Sequence, residues 1–497
     1  MSSFATTSAA PPHAAESGAS VPSAPSTDAH GRLALLTAAQ MVAGYASGAF
    51  SPVDVVTDVL AHIEANEPLI NAFAWLDGEQ ALAAARASET RWRDGHAIGG
   101  AHGVDGVPVT IKDLLLVRGW PTLRGSRLVD PDQDWNEDSP AAARLHEAGA
   151  VILGKTTTAE YGWKALADSP LTGITRNPWH LDHTPGGSSG GAAAAAAIGY
   201  GPLHVATDGG GSTRLPAAHS GVFGFKPSFG RAPGYPAAHT GTLFHIAPMT
   251  RTVADAARLL RVIARPDARD WYAPPYVERD WLIGLDDGIQ GLRIAFSPTL
   301  GFARVDPEVA DRVDKAAALF QTLGARVQRA DPDIGDPLTF LRVLVDAGVA
   351  RLFESIPAER HALAETGFRA AAERGMGITA VQYLAAVQTR EHLAQRLTAF
   401  VGNEWDLLIT PTTTTVAPVA DPAAEGYATG AAISPFTYPF NLSQQPAASV
   451  PIGLSAHGLP IGLQIVGPRH RDDLVLRAAR AFERISPFPV LSRIRDV

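Results

Sequence analysis

The 497-residue chain contains no cysteine. Disulfides, thiolate metal ligands and a thiol nucleophile are thereby excluded together. Charge is also sparse. Asp, Glu, Lys and Arg make up 18% of the residues, and 41 basic against 50 acidic side chains leave a formal net charge of −9. Nucleic acid or an anionic membrane surface would call for a basic face, so neither is expected as a partner. No run of about 18 uninterrupted apolar residues occurs, so no membrane-spanning helix is expected. Residues 1–31 lack Lys, Arg and the apolar stretch of a secretory signal. Rich in Ala, Ser and Pro, with Phe4 as their one aromatic, they are expected to form a disordered tail. The default expectation for location is the cytoplasm.

What the chain does contain is 46% hydrophobic residues, 47 Gly and 38 Pro, the composition of a globular protein with many loops. Its length allows two or three domains, or one continuous core of a large α/β enzyme. Residues 36–66 read as two helices, the second opening on Ser51 as N-cap, Pro52 and Asp54. Val107–Ile111 reads as a short apolar strand, Pro140–Ala148 as a helix, and Ala150–Leu153 as a buried strand bounded by Gly149 and Gly154. After a Gly-rich centre come a helix over Arg251–Ala264, then strand, helix and strand over Leu292–Ser297, Asp306–Leu323 and Ala325–Ala330. Residues 336–402 are mostly helical, Leu407–Ile409 is a buried strand, and Ala448–Ile452, Gly462–Val466 and Asp472–Glu483 add strands and a closing helix. Alternating strands and helices predict an α/β layer fold around one sheet. The helical stretch 336–402 is expected to cap a site.

Three segments carry chemistry. Thr207-Asp208-Gly209-Gly210-Gly211-Ser212-Thr213-Arg214 sets three glycines before a hydroxyl. Without Cβ atoms such a backbone can aim its N–H groups at one point, as an oxyanion hole beside a nucleophile requires. Pro185-Gly186-Gly187-Ser188-Ser189-Gly190-Gly191 places two serines at the start of a small-residue helix, where the helix dipole favours developing negative charge. Gly106–Asp113 ends an apolar strand on Lys112. Each segment alone has a plainer reading: a turn that closes a loop, an N-capped helix, a solvated lysine.

Together the three segments resemble the amidase signature family. The pattern runs IKD, then PGGSSGG, then TDGGGSTRLPA, with 24 residues from Ser188 to Ser212. The similarity continues through GAVILGKTTTAEYG (149–162), NPWHLDHTP (177–185), GVFGFKPSFGR (221–231), DLLITPT (406–412), NLSQQPAASVPIG (441–453) and GLPIGLQIVG (458–467). The resemblance implies one layered α/β/α domain over residues 32–497 with a central mixed sheet. It implies a Ser–Ser–Lys triad with Ser212 as nucleophile, Ser188 as bridging serine after a cis peptide, and Lys112 as base. It implies an oxyanion hole at Gly209, Gly210 and Gly211, a loop braced by Asp208 and Arg214, and support from Thr207 and Ser189. A free lysine titrates near 10.4, so a neutral Lys112 at pH 7 costs about 4.6 kcal/mol. Burial can lower a lysine by roughly 3–5 units, provided no carboxylate pairs with it. Asp113 is next in sequence, but successive strand side chains face opposite ways.

Two pattern matches are set aside. Gly149–Thr156 satisfies the phosphate-loop expression, yet its four middle residues, Ala150 to Leu153, read as a buried strand. Gly187–Gly191 matches a nucleophile elbow centred on Ser189, but Leu181–Pro185 before it is turn-like rather than an apolar strand. The expected function is hydrolysis of an aryl or hydrophobic amide, with carbamates or esters as side substrates, through a Ser212 acyl-enzyme. No metal and no cofactor is expected, and the partner is a small-molecule amide, acted on by a monomer or homodimer. The alternative is the glutaminase subunit of a tRNA-dependent amidotransferase. That reading is weakened because Ser434 stands where such a subunit carries an acid and because the pocket candidates Tyr161, Trp163, Phe436 and Tyr438 are aromatic. A further alternative, a catalytically inert binding protein, conflicts with the filled triad positions.

Overall fold

The computed structural model describes residues 33–421, 435–491 and 494. The tail expected over residues 1–31, and Ser434, lie outside the described residues. Among those described, eleven strands form one sheet. Its order across the molecule is Phe73–Leu76, Val151–Thr156, Pro108–Lys112, Leu203–Asp208, His245–Thr250, Phe223–Lys226, Ala447–Leu454, Pro460–Val466, Leu407–Pro411, Arg293–Phe296 and Arg326–Arg329. Pro108–Lys112 is parallel to both of its neighbours, as is Arg293–Phe296, and the strands between them pair antiparallel. The sheet is therefore mixed, as the family resemblance implies.

The central strands are buried along their whole length, which is why they read as continuous apolar runs rather than alternating ones. Helices Pro52–Ile70 and Pro307–Thr322 begin as their capping residues dictate. The Ser51 hydroxyl accepts from the Asp54 N–H in a reciprocal capping box, and Asp306 accepts from the Glu308 N–H. The alanine run forms helix Gly190–Ile198, every residue of which is buried. Alanine fits because this helix packs closely against Ala206, Ala217, Val222 and Met249. Residues 336–402 hold helices Leu338–Glu354, Thr366–Met376 and Ala380–Phe400. No helix among the described residues is long and apolar enough to cross a membrane.

One boundary differs from expectation. The strand expected to stop at Gly154 continues to Thr156. Gly154 sits where Phe73–Leu76 pairs alongside, and a Cβ there would lie 2.2 Å from the Trp75 carbonyl oxygen. The glycine thus permits strand pairing rather than ending the strand. Lys155, the lysine of the phosphate-loop match, is fully buried, with its Nζ 2.9 Å from Asp113 and 2.6 Å from Thr122 Oγ1. It is a core ion pair, and no phosphate could reach it. Lys155→Ala would strand the Asp113 carboxylate in the interior. A loss of about 3–5 kcal/mol of stability is expected, read from denaturant unfolding.

Candidate active site

The sheet brings the three chemical segments together. Pro108–Lys112 and Leu203–Asp208 run parallel with Ile111 opposite Val205, so the end of the first strand carries Lys112 beside Thr207. Lys112 is fully buried. Its Nζ lies 2.8 Å from Ser188 Oγ, 2.8 Å from Ser189 Oγ and 3.0 Å from Thr207 Oγ1. No carboxylate is within ion-pair distance of it among the described residues. Burial therefore holds its pKa well below the usual lysine value, and the more distant Asp208 only partly opposes this. Asp113 faces away, to Lys155, as strand alternation requires.

Ser188 follows a cis peptide from Gly187. Ser189 occupies the N-cap position of the alanine helix but does not cap it with its side chain. Its hydroxyl instead donates to the Thr207 carbonyl oxygen (3.0 Å) and accepts from Lys112. Ser212 is half-buried, and its carbonyl oxygen accepts from the Ser189 N–H at 3.1 Å. The Ser212 side chain forms no hydrogen bond with Ser188 or Lys112 in this structure. Both serines, with Thr207, border the same cavity of about 710 Å³.

The Gly-rich loop is fixed from below by Asp208. Its carboxylate accepts from the N–H groups of Gly211 (2.8 Å) and Thr213 (3.2 Å) and from Asn441 Nδ2 (2.9 Å). Arg214 grips it through Nε at 3.0 Å and Nη2 at 2.9 Å. The remaining guanidinium N–H groups go to the Thr437 carbonyl, Gln464 Oε1 and Asn441 Oδ1, so all five Arg214 donors are satisfied although the side chain is fully buried. Burial pushes the Asp208 carboxyl up, but the Arg214 charge and hydrogen bonds outweigh this and hold it well below the usual carboxylate range. Gly211 has φ +132°, and a Cβ there would meet Thr437 Oγ1 at 2.2 Å. Gly211→Ala is accordingly expected to distort the loop, displace the neighbouring N–H groups of residues 210 and 212, and cut kcat at least about a hundredfold, the scale set by losing one oxyanion-hole donor. Circular dichroism should show the fold retained.

The expected oxyanion segment needs refinement. The Gly211 N–H is occupied by Asp208. Those of Gly209, Gly210 and Ser212 make no hydrogen bond with the described residues, and these three residues line the cavity. Ser212 therefore offers a backbone donor that the three-glycine reading omitted.

Of the four aromatic pocket candidates, Tyr161, Trp163 and Tyr438 line the cavity. Tyr161 stacks on Phe368 with ring centroids 5.5 Å apart, Trp163 donates to Glu365 Oε2 at 3.0 Å, and Tyr438 donates to Asp336 Oδ1 at 2.8 Å. Phe436 does not line it. Its side chain is fully buried in an apolar cluster with Leu408, Phe440 and Val466. Helix Leu338–Glu354 supplies wall residues that the sequence did not single out, Leu338, Leu341 and Val345 among them. Thr437, Asn441 and Gln464 were likewise missed as supports. The signal available was a buried amide, Gln464, inside the apolar strand Pro460–Val466. Among the described residues no group of three or more His, Asp or Glu side chains is placed to hold a metal.

The amidase family model matches residues 54–476. An acylamidase of Rhodococcus erythropolis is 36% identical over 469 residues, covering 91% of this chain and 96% of that protein. A glutamyl-tRNA(Gln) amidotransferase subunit from Chloroflexus aggregans is 34% identical over 486 residues, covering 91% and 96%. The crystal structure of a bacterial aryl acylamidase of the amidase signature family superposes with a TM-score of 0.84 at 33% identity, covering 91% of this chain and 96% of that one. The chain therefore belongs to the amidase signature family and is an amidohydrolase.

Proposed function

We propose that the protein hydrolyses aryl or otherwise hydrophobic amides of small molecules, with Ser212 as nucleophile, Ser188 as proton relay and Lys112 as base. The observation that carries this reading is the buried, carboxylate-free amine of Lys112 hydrogen-bonded to Ser188 at the wall that also bears Ser212. A neutral amine has two N–H groups and one lone pair. Because the Ser189 hydroxyl proton is committed to the Thr207 carbonyl, Ser189 accepts from Lys112. With Thr207 accepting the second N–H, the lone pair is left for the Ser188 hydroxyl, whose own lone pairs then face the cavity.

Attack by Ser212 Oγ on the amide carbon transfers its proton to Ser188 as the Ser188 proton passes to Lys112. The developing oxyanion is received by the free N–H groups of Gly209, Gly210 and Ser212. The C–N bond then breaks, the amine leaves with a proton returned through Ser188, and water repeats the sequence to release the acid. Thr207, Asp208, Ser189 and Arg214 hold the relay and loop in place.

The apolar part of the wall, formed by Leu338, Leu341, Val345 and Ile378 with Tyr161, Trp163 and Tyr438, supports a hydrophobic acyl or aryl group. In this reading residues 336–402 form the cap over the site. The likeness to two acylamidases supports the same substrate class. A panel of acyl anilides, short aliphatic amides, carbamates and glutamine tests it. Anilides are expected to give the highest kcat/KM. Preference for glutamine would instead indicate a glutaminase subunit, and preference for acetamide would sink the hydrophobic-substrate reading.

A further inference from the structure

The charges around the cavity do not all cancel. Lys164 lies between Asp168 (2.6 Å) and Glu365 (2.5 Å). Arg374 is bound to Asp346 through two hydrogen bonds, Nε to Oδ2 at 2.8 Å and Nη2 to Oδ1 at 3.1 Å. His239 is kept neutral near pH 7, because burial and the Arg124 charge push its pKa down to about 4. Arg342, on helix Leu338–Glu354, also lines the cavity yet is solvent-exposed, which places it at the mouth. Its side chain makes no ion pair and no hydrogen bond with the described residues.

The reason lies in its neighbours. One helical turn on, Asp346 would be the natural i,i+4 partner, but Arg374 from the next helix already occupies both of its oxygens. Asp336, at the start of the helix, accepts from the Tyr438 hydroxyl and the Leu338 N–H, and does not come within 4.0 Å of Arg342. A guanidinium with its planar fork free, on the rim of a cavity whose other charged side chains are paired, is suited to bidentate recognition of a carboxylate.

We infer that the cavity mouth is an anion subsite, in which Arg342 pairs with a carboxylate carried by the amide substrate remote from its scissile bond. The inference rests on the hydrolase reading above and narrows its substrate class to hydrophobic amides with an anionic far end. Because the subsite is open to solvent, the pair is worth about a two- to fivefold preference in kcat/KM rather than more.

Two substrate pairs test it, one for each side of the amide. 4-Acetamidobenzoate is compared with 4-methylacetanilide, and glutaranilate with pentananilide, at low and high salt. The wild-type protein is expected to favour the anionic member of at least one pair through a lower KM, and high salt should erode that preference. Arg342→Gln should abolish the preference and Arg342→Glu should reverse it. Both variants should keep the wild-type thermal midpoint, since the side chain is solvent-exposed and makes no ion pair or hydrogen bond with the described residues, and the neutral anilides serve as the reference substrates for each variant. The inference is overturned if neither anionic anilide is favoured by the wild type, or if the preference survives in both variants. Cleavage of none of the four anilides overturns the aryl-amide substrate reading proposed above, and this subsite with it.

Discussion

Ser212→Ala is expected to lower kcat on an acyl anilide by about 10⁴-fold or more, with the fold and thermal midpoint unchanged. The substitution removes only a hydroxyl on the cavity wall that forms no hydrogen bond with Ser188 or Lys112 at rest. The backbone N–H of residue 212 and the Asp208–Arg214 brace beneath the loop remain in place, so oxyanion stabilisation survives while covalent attack does not. The competing nucleophile is Ser189, centre of the elbow-like match, and the structure gives reason for it to be a poor one. Its hydroxyl is fully buried and tied to both Lys112 and the Thr207 carbonyl. Labelling with a serine-directed phosphonate fluoride followed by peptide mapping separates the two. The label should fall on Ser212 in the wild type and vanish in the alanine variant. If Ser212→Ala keeps turnover within tenfold of wild type, the assigned chemistry is wrong.

The legibility of this site in the sequence followed the range of the physical signals. Short-range rules worked well. Ser51 and Asp306 cap the helices expected of them, and the two-residue alternation of a strand correctly parted Lys112 from Asp113. The reading of Ala150–Leu153 as buried strand correctly disposed of the phosphate-loop match, although the strand runs on to Thr156. Strand Leu203–Asp208 was not anticipated as an element. Its last residues are polar, Thr207 meeting Lys112 and Asp208 meeting Arg214, and that breaks the apolar run by which a buried strand is recognised. Helix Gly78–Arg93 went unread as well. Partnerships across long sequence separations were beyond any local rule. Nothing near Asp208 announces that Asn441 and Gln464 complete the shell around Arg214, or that Arg374 takes the Asp346 carboxylate. Phe436 and Tyr438 show the same limit on a small scale. Both are aromatic and two residues apart, yet one is core and the other lines the cavity, which only the packing of the surrounding helices decides.

Lys112→Ala is expected to reduce kcat at neutral pH by about 10²–10⁴-fold, the usual worth of a positioned base. The pH profile distinguishes a base from a merely structural lysine. As a base Lys112 works in its neutral form. Burial holds its pKa well below 10.5, so it is neutral over a range in which an exposed lysine would be charged. As pH falls through the lowered value the amine takes a proton, its lone pair is lost to Ser188, and activity must fall. The wild type should therefore show an acid limb. The buried histidines beside the site cannot imitate it above pH 5. His239 titrates at about 4, and burial together with the Lys226 charge keeps His245 neutral well below its usual range. Asp208 stays ionised throughout, because Arg214 holds it down. In the Lys112 variant the residual activity should lose that limb and rise instead with hydroxide, which attacks the acyl carbon without a relay. Lys112→Arg should not rescue, since guanidinium remains charged at every accessible pH. A wild-type profile flat to pH 5, or near-normal turnover in Lys112→Ala, would rule out lysine as the base and leave the Ser188 relay without a proton acceptor.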